Sequence, residues 1–139
     1  MKRMTAAAGL LWLLAAVPAG AEEPAVIKVT KLLTTDATVT GQKLVLPSRD
    51  PQLIASIFEI PPGARLPRHK HPYARYAYVL DGDLTVDYGK AGPQHFHKGD
   101  FIVEAIGTWH FGMNSGTTPV RLLVIDQVEK GQPATVMAK

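Results

Sequence analysis

His69 and His71 stand one residue apart in the stretch Gly63–Gly82, GARLPRHKHPYARYAYVLDG, and His110 lies further on in Gly99–Asn114, GDFIVEAIGTWHFGMN. In an extended chain successive side chains point to opposite faces, so the two imidazoles of an HxH stretch point the same way. That arrangement chelates. A hairpin-rich barrel that laid the second segment against the first would gather three imidazoles at one point. Neutral imidazoles suit Fe(II), Ni(II), Cu(II) and Zn(II) better than Mg or Ca. A bare HxH is more often a core or surface pair than a metal site, and it is His110 that raises the case for one divalent transition ion.

Other residues are weaker candidates. His95 and His97 form a second same-face pair just ahead of the Gly99 turn, where solvent exposure is expected. Tyr76, Tyr78, Tyr88, Trp109 and Phe111 read as barrel packing, although a tyrosine beside the site, with Tyr78 the candidate, could orient a ligand or donate a proton. Glu59 and Glu104 are the glutamates that fall within the expected barrel strands. Either could act as a fourth ligand or a general base if it faces inward, which strand parity leaves open. Gln127, on the last long strand, is a candidate polar wall of the pocket, and Met113 is simplest as core.

The elements that must position these residues are short strands. Ala25–Thr30 (AVIKVT) reads as a first strand, an edge or an arm onto a neighbouring subunit, and Lys43–Leu46 as another short one stopped by Pro47. In LIASIFEI, Leu53–Ile60, apolar residues occupy both faces, which predicts a strand buried on much of both. Pro61-Pro62-Gly63 ends it. RYAYVL and LTVDYG flank the tight Asp81-Gly82-Asp83 turn as a hairpin. QHFH, FIVE, TWHFGM and VRLLVIDQV follow, separated by turn residues. The tail from Glu129 to Lys139 is expected to be poorly ordered or lightly docked. Many short strands without a convincing helix predict an all-β barrel or double-sheet jelly roll, with the barrel core at about residues 40–128.

The N-terminus reads differently. Lys2 and Arg3 precede a stretch without charge from Met4 to Ala21, and Pro18-Ala19-Gly20-Ala21 leads into Glu22 and Glu23. A basic start, an apolar run and an A-x-A site predict a cleavable signal peptide over 1–21, followed by a single domain over 22–139. The competing reading is an uncleaved anchor, but the stretch is short for a spanning helix. With no cysteine in the chain, a lipid anchor at this site is excluded. Loss of Lys2 and Arg3 takes the formal charge from +3 to +1, so the basic balance belongs partly to the leader. No lysine and arginine stripe with interleaved aromatics is present, which excludes a nucleic-acid footprint. The expected protein is exported, periplasmic or secreted, without a stable membrane anchor after cleavage. No disulfide can help hold it together.

The two histidine segments resemble the paired motifs of the cupin superfamily, G-x5-H-x-H-x3-E-x6-G and G-x5-P-x-G-x2-H-x3-N. Gly63, His69, His71 and Gly82 fall on the first spacing, and Gly99, Gly107, His110 and Asn114 on the second, with no gap needed over 52 residues. Ala105 stands where the motif has proline, and Arg75 where it has glutamate. The resemblance implies a small double-stranded β-helix, the jelly-roll or cupin barrel. It also implies a metal held by His69, His71 and His110, a small-molecule ligand or substrate, and a homodimer. Because the motif acid is Arg75, the metal set from these positions is three histidines, and a guanidinium aimed inward would repel the ion at short range.

Three readings are open. In one, the histidines hold a metal with open positions, as in three-histidine cupin dioxygenases, and Arg75 grips a substrate carboxylate as a bidentate fork. Dioxygenation of a small anionic molecule leads, with lyase or isomerase chemistry close behind. In the second, the barrel is a metal-free pocket for a carbohydrate or organic acid and is not a catalyst. In the third, the histidines are structural and the fold serves as a dimerisation module.

Overall fold

The computed structural model describes residues 25–139, so the leader expected over 1–21 lies outside the described residues. Among the described residues no helix is long and apolar enough to cross a membrane. The strands are β1 (Pro51–Ile60), β2 (His69–Lys70), β3 (Arg75–Asp81), β4 (Asp83–Asp87), β5 (Pro93–His97), β6 (Phe101–Val103), β7 (Phe111–Asn114), β8 (Val120–Glu129) and β9 (Val136–Met137). One sheet has the order β1-β8-β3-β6 and a second β5-β4-β7, while β2 pairs with β9. All of these ladders are antiparallel. The chain is thus the all-β double-stranded β-helix that the strand pattern predicts.

Alternation builds the core. In β8, Val120, Leu122, Val124, Asp126 and Val128 are buried while their neighbours face outward. Val79, Ile102 and Val124 of the larger sheet pack in one cluster with Leu84 and Val86 of the smaller, which joins the two inner faces. Two motif residues serve this frame. Gly82 turns β3 into β4 at φ 82°, and a Cβ there would lie 2.7 Å from the Pro119 carbonyl oxygen, so both conformation and space demand glycine. Asn114 is buried, and its amide nitrogen donates to the carbonyls of Ile60 and Thr118, both at 2.8 Å.

Several expectations are corrected. Ala25–Thr30 forms no strand and is exposed, because β-branched composition makes a strand only where a ladder partner exists, and none lies beside it among the described residues. Lys43–Leu46 contributes a lone bridge, Lys43 to Ala37. Burial on both faces of β1 was expected, but only the face of Phe58 and Ile60 packs inward. Leu53 and Ile57 are 68% and 50% exposed, since β1 is an edge strand with nothing described above its outer surface. The tail is docked: β9 pairs Met137 with His69 and Val136 with Lys70, and the Ala138 amide donates to the Arg68 carbonyl at 2.9 Å.

Candidate metal centre

The two histidine segments meet through their backbones. His69 and His110 exchange both amide-to-carbonyl hydrogen bonds, at 2.9 and 2.8 Å. Leu66 donates to Gly112 at 2.8 Å and Gly107 to His71 at 2.8 Å, so the contact continues on either side. Residues that exchange both bonds in an antiparallel pair are directly opposite, with side chains on one face. His71 shares that face with His69 by alternation. The ring centroids lie 4.5 Å apart for His69 and His110 and 4.9 Å for the two pairs with His71. Ala105, in the proline slot, leaves a turn that Gln42 secures. Its side-chain amide donates to the Ile106 carbonyl at 2.8 Å and accepts from the Ile106 amide at 3.0 Å.

Each imidazole is oriented by a carbonyl. Nδ1 of His69 meets the Pro67 oxygen at 2.7 Å, that of His110 the Thr108 oxygen at 2.9 Å, and that of His71 the Ala134 oxygen at 3.1 Å. A carbonyl only accepts, so Nδ1 carries the proton in all three rings and Nε2 is left with its lone pair. One ring nitrogen of each of the three buried histidines lies within 4.8 Å of the other two. This is the outer-shell arrangement that prepares imidazoles for coordination. The donor set fits one metal ion. The third carbonyl comes from the tail expected to be loose, which explains why composition gave no hint of it.

Arg75 departs from its expected role. Rather than reaching into open space, it is 8% exposed and closed on Asp126, with Nε to Oδ1 at 2.6 Å and Nη2 to Oδ2 at 3.0 Å. Nη2 also donates to the Thr135 hydroxyl at 3.0 Å, and Nη1 donates to His71 Nε2 at 3.3 Å. The fork that was expected to grip a carboxylate from a ligand is filled by a carboxylate of the chain. The cause is register, since β3 sets Arg75 opposite Asp126 on β8. Asp126 was missed, although its inward parity among Val120, Leu122, Val124 and Val128 is a usable signal: a buried acid requires a cation.

The remaining candidates separate by face. Glu104 turns inward, is buried, and accepts from the Tyr88 hydroxyl at 2.7 Å, with Oε2 3.8 Å from His110 Nε2. Glu59 lies on the outer surface, paired with Arg121 at 3.2 Å. Tyr78 and Gln127, expected at the pocket, sit on the outer face of the large sheet, opposite in parity to Arg75 and Asp126. Gln127 there accepts from the Tyr76 hydroxyl at 3.2 Å. His95 and His97 are exposed, as expected, and bond Thr85 and Asp83. The histidines, Arg75 and Glu104 line a cavity of about 30 Å³ whose other walls include Phe58, Leu84 and Val124. That is space for one or two water-sized groups. Outside it, Arg65 stacks on Phe111 and Lys70 on Trp109, at 3.5 and 4.8 Å to the ring centroids. Arg65, Arg68, Trp109 and His110 border a groove of about 270 Å³.

Two measurements follow from this geometry. Arg75→Met leaves the Asp126 carboxylate buried without its cation and should cost about 3–5 kcal/mol in chemical denaturation, most of it recovered by adding Asp126→Leu. A single-variant cost below about 1 kcal/mol would show that the pair does not hold the site. The second concerns acid. Burial first, and the Arg75 charge second, pull the His71 pKa down to about 2, and burial lowers that of His69. Both rings stay neutral in the folded chain while their unfolded counterparts protonate below about 6.5. The unfolded state then binds more protons, so this stability is fully present above pH 6.5 and is lost toward pH 2. For His71 the loss is on the order of 1 kcal/mol per pH unit over that range, and His69 adds to it in the same direction. Metal-free protein should show that slope in denaturation between pH 7 and 4, and His71→Gln should flatten it. An unchanged slope would rule His71 out as its source.

The family comparison agrees with this geometry. The cupin domain family matches residues 56–126, which carry both motifs in full. No curated protein matches the sequence. Among solved structures, the DMSP lyase DddQ of Ruegeria pomeroyi is similar at TM-score 0.54 and 23% identity, over 62% of this chain and 43% of that one. The oxalate decarboxylase of Lactobacillus farciminis, as its formate complex, is similar at 0.50 and 26% identity, over 61% and 26%. A Klebsiella pneumoniae protein with a double-stranded β-helix domain is similar at 0.51 and 22% identity, over 77% and 89%. The chain thus spans less than half the length of either enzyme. On the match over residues 56–126, the motif spacing and the two-sheet barrel, the chain belongs to the cupin domain family.

Proposed function

We propose that this cupin is a metal-dependent enzyme acting on a small organic anion, with one divalent Fe, Ni, Cu or Zn ion held by His69, His71 and His110. The observation that carries the reading is the set of three carbonyl-oriented imidazoles presenting Nε2 to one point. A bound ion would supply Lewis acidity, and redox chemistry if it is iron or copper. The chain's own part is to orient and exclude. Apolar side chains line much of a space of about 30 Å³, so only a small polar end of a substrate enters. Arg65 and Arg68, which border a groove that His110 also lines, favour an anion's approach. Similarity to an oxalate decarboxylase, at 26% identity, supports a small carboxylate as the substrate class. Lyase, isomerase or decarboxylase chemistry needs only the Lewis acid, and dioxygenation needs a redox ion, so the metal found decides between them.

One contact favours a second reading. Arg75 Nη1 donates to His71 Nε2, which satisfies that lone pair without a metal and supports a barrel that binds an organic acid non-catalytically. Metal analysis by elemental mass spectrometry on the exported protein separates the two. Wild type should carry near one equivalent, and the His69→Ala, His110→Ala double variant none. No metal in either would leave the binding protein standing. The same sample should begin near Glu22 if the leader is cleaved as we propose, and a retained Met1 would defeat export by that route.

A homodimer is part of the proposal. Leu53, Ile57, Leu123, Ile125, Tyr76 and Tyr78 line the outer face of the large sheet, with Ile57 opposite Leu123 and Tyr76 opposite Ile125 in register. An apolar face of this extent suits a second copy. Light scattering on wild type should give twice the chain mass, and Ile57→Asp should shift it to the monomer. A monomeric wild type would end this reading.

A further inference from the structure

The charges around the cavity do not balance. Arg75 is the cation of the cavity lining, and its fork is filled by Asp126, so those two charges cancel within the wall. Glu104 is left. Its side chain is 9% exposed, it lines the same cavity as the three histidines, and its one side-chain hydrogen bond comes from the neutral Tyr88 hydroxyl, at 2.7 Å to Oε2. Among the described residues no hydrogen bond reaches Oε1, and that oxygen is not sealed in the wall. A carboxylate this deeply buried, with one neutral donor and no cation, is costly unless a positive charge arrives. A neutral imidazole whose Nδ1 proton is held by a carbonyl, as the Thr108 carbonyl holds that of His110, has none at Nε2 to give the carboxylate. Oε2 lies 3.8 Å from His110 Nε2, close to the about 3–3.5 Å that separates two ligand atoms on an ion with bonds near 2.1 Å.

We propose that Glu104 is the carboxylate ligand of the metal centre, joining His69, His71 and His110 and supplying the negative charge that position 75, an arginine, does not. This rests on the three-histidine metal reading above and adds a fourth protein ligand from the end of a different strand. Tyr88 acts as a positioning residue: its hydroxyl restrains the carboxylate, and its ring stacks 5.3 Å from that of His110. A dication with one carboxylate leaves a single net positive charge in the cavity, which suits capture of a monoanionic group. It also places the anionic ligand beside His110, away from the Arg75 guanidinium that contacts His71.

The test uses the full chain, stripped with chelator and titrated with Zn(II) and Co(II). Glu104→Gln keeps the shape and the acceptor for Tyr88 but removes the charge. It should weaken Zn(II) affinity at least about tenfold and alter the visible Co(II) spectrum. It should also raise the melting temperature of the metal-free protein, because an unpaired buried charge has been removed. Glu104→Asp, which keeps the charge but withdraws it by one methylene, should likewise alter the Co(II) spectrum, and it serves the same test if the glutamine variant does not fold. An affinity and spectrum unchanged in Glu104→Gln, with metal lost in the His69→Ala, His110→Ala variant, would overturn the assignment and leave the three-histidine centre intact. Absence of metal from wild type would remove both.

Discussion

The site depends on one backbone contact, the pair of hydrogen bonds that His69 and His110 exchange. It makes two segments that are distant in sequence into facing strands, and facing strands put their side chains on a common side. His71 then joins by alternation alone. The orientation of two imidazoles follows from that contact, because the same local backbone supplies the Pro67 and Thr108 carbonyls that accept from Nδ1–H and leave Nε2 turned to the cavity. The third ring is set from elsewhere, by Ala134 in the closing tail. The tail is therefore part of the site's wall, and its ladder with β2 ties the C-terminus to the strand that carries His69.

Buried charge is the second organising constraint. A barrel of this size can hold a few ionised groups, provided each is paired or awaits a partner. Asp126 and Arg75 form one such pair, and their fork geometry leaves only Nη1 free to reach His71. Glu104 has no such cation beside it. The same arginine that replaces the motif acid thus brings its own carboxylate from β8, while a separate acid faces the histidines. Substitution at one position has been accommodated by register rather than by a change of fold.

The fold and the three-histidine cluster were legible in the sequence because they rest on local periodicity. HxH on a strand implies a shared face, and motif glycines occupy turns that need positive φ, as Gly82 does. The family resemblance rested on the same spacing, and the match over residues 56–126 confirms it. Placement of Tyr78 and Gln127 in the pocket failed for a reason that was also local. Each differs in parity from an inward residue on its strand, Arg75 on β3 and Asp126 on β8, but the inward direction of those strands was not known until they were paired.

What the sequence determined by itself was therefore what a period of two and a turn residue can encode: short strands, the HxH face, the turns at Gly82 and Asn114, and the two-sheet barrel. Only the tertiary structure decided which cation meets which acid, which glutamate turns inward, and that the tail closes on His71. Those outcomes depend on inter-strand register and on contacts between residues such as Arg75 and Thr135, distant in the chain, where no local pattern records the partner. Composition misled at Ala25–Thr30 and at the outer face of β1 for the same reason. Apolar, β-branched residues announce that a surface wants to be covered, and what covers it is a matter of the neighbouring chain elements.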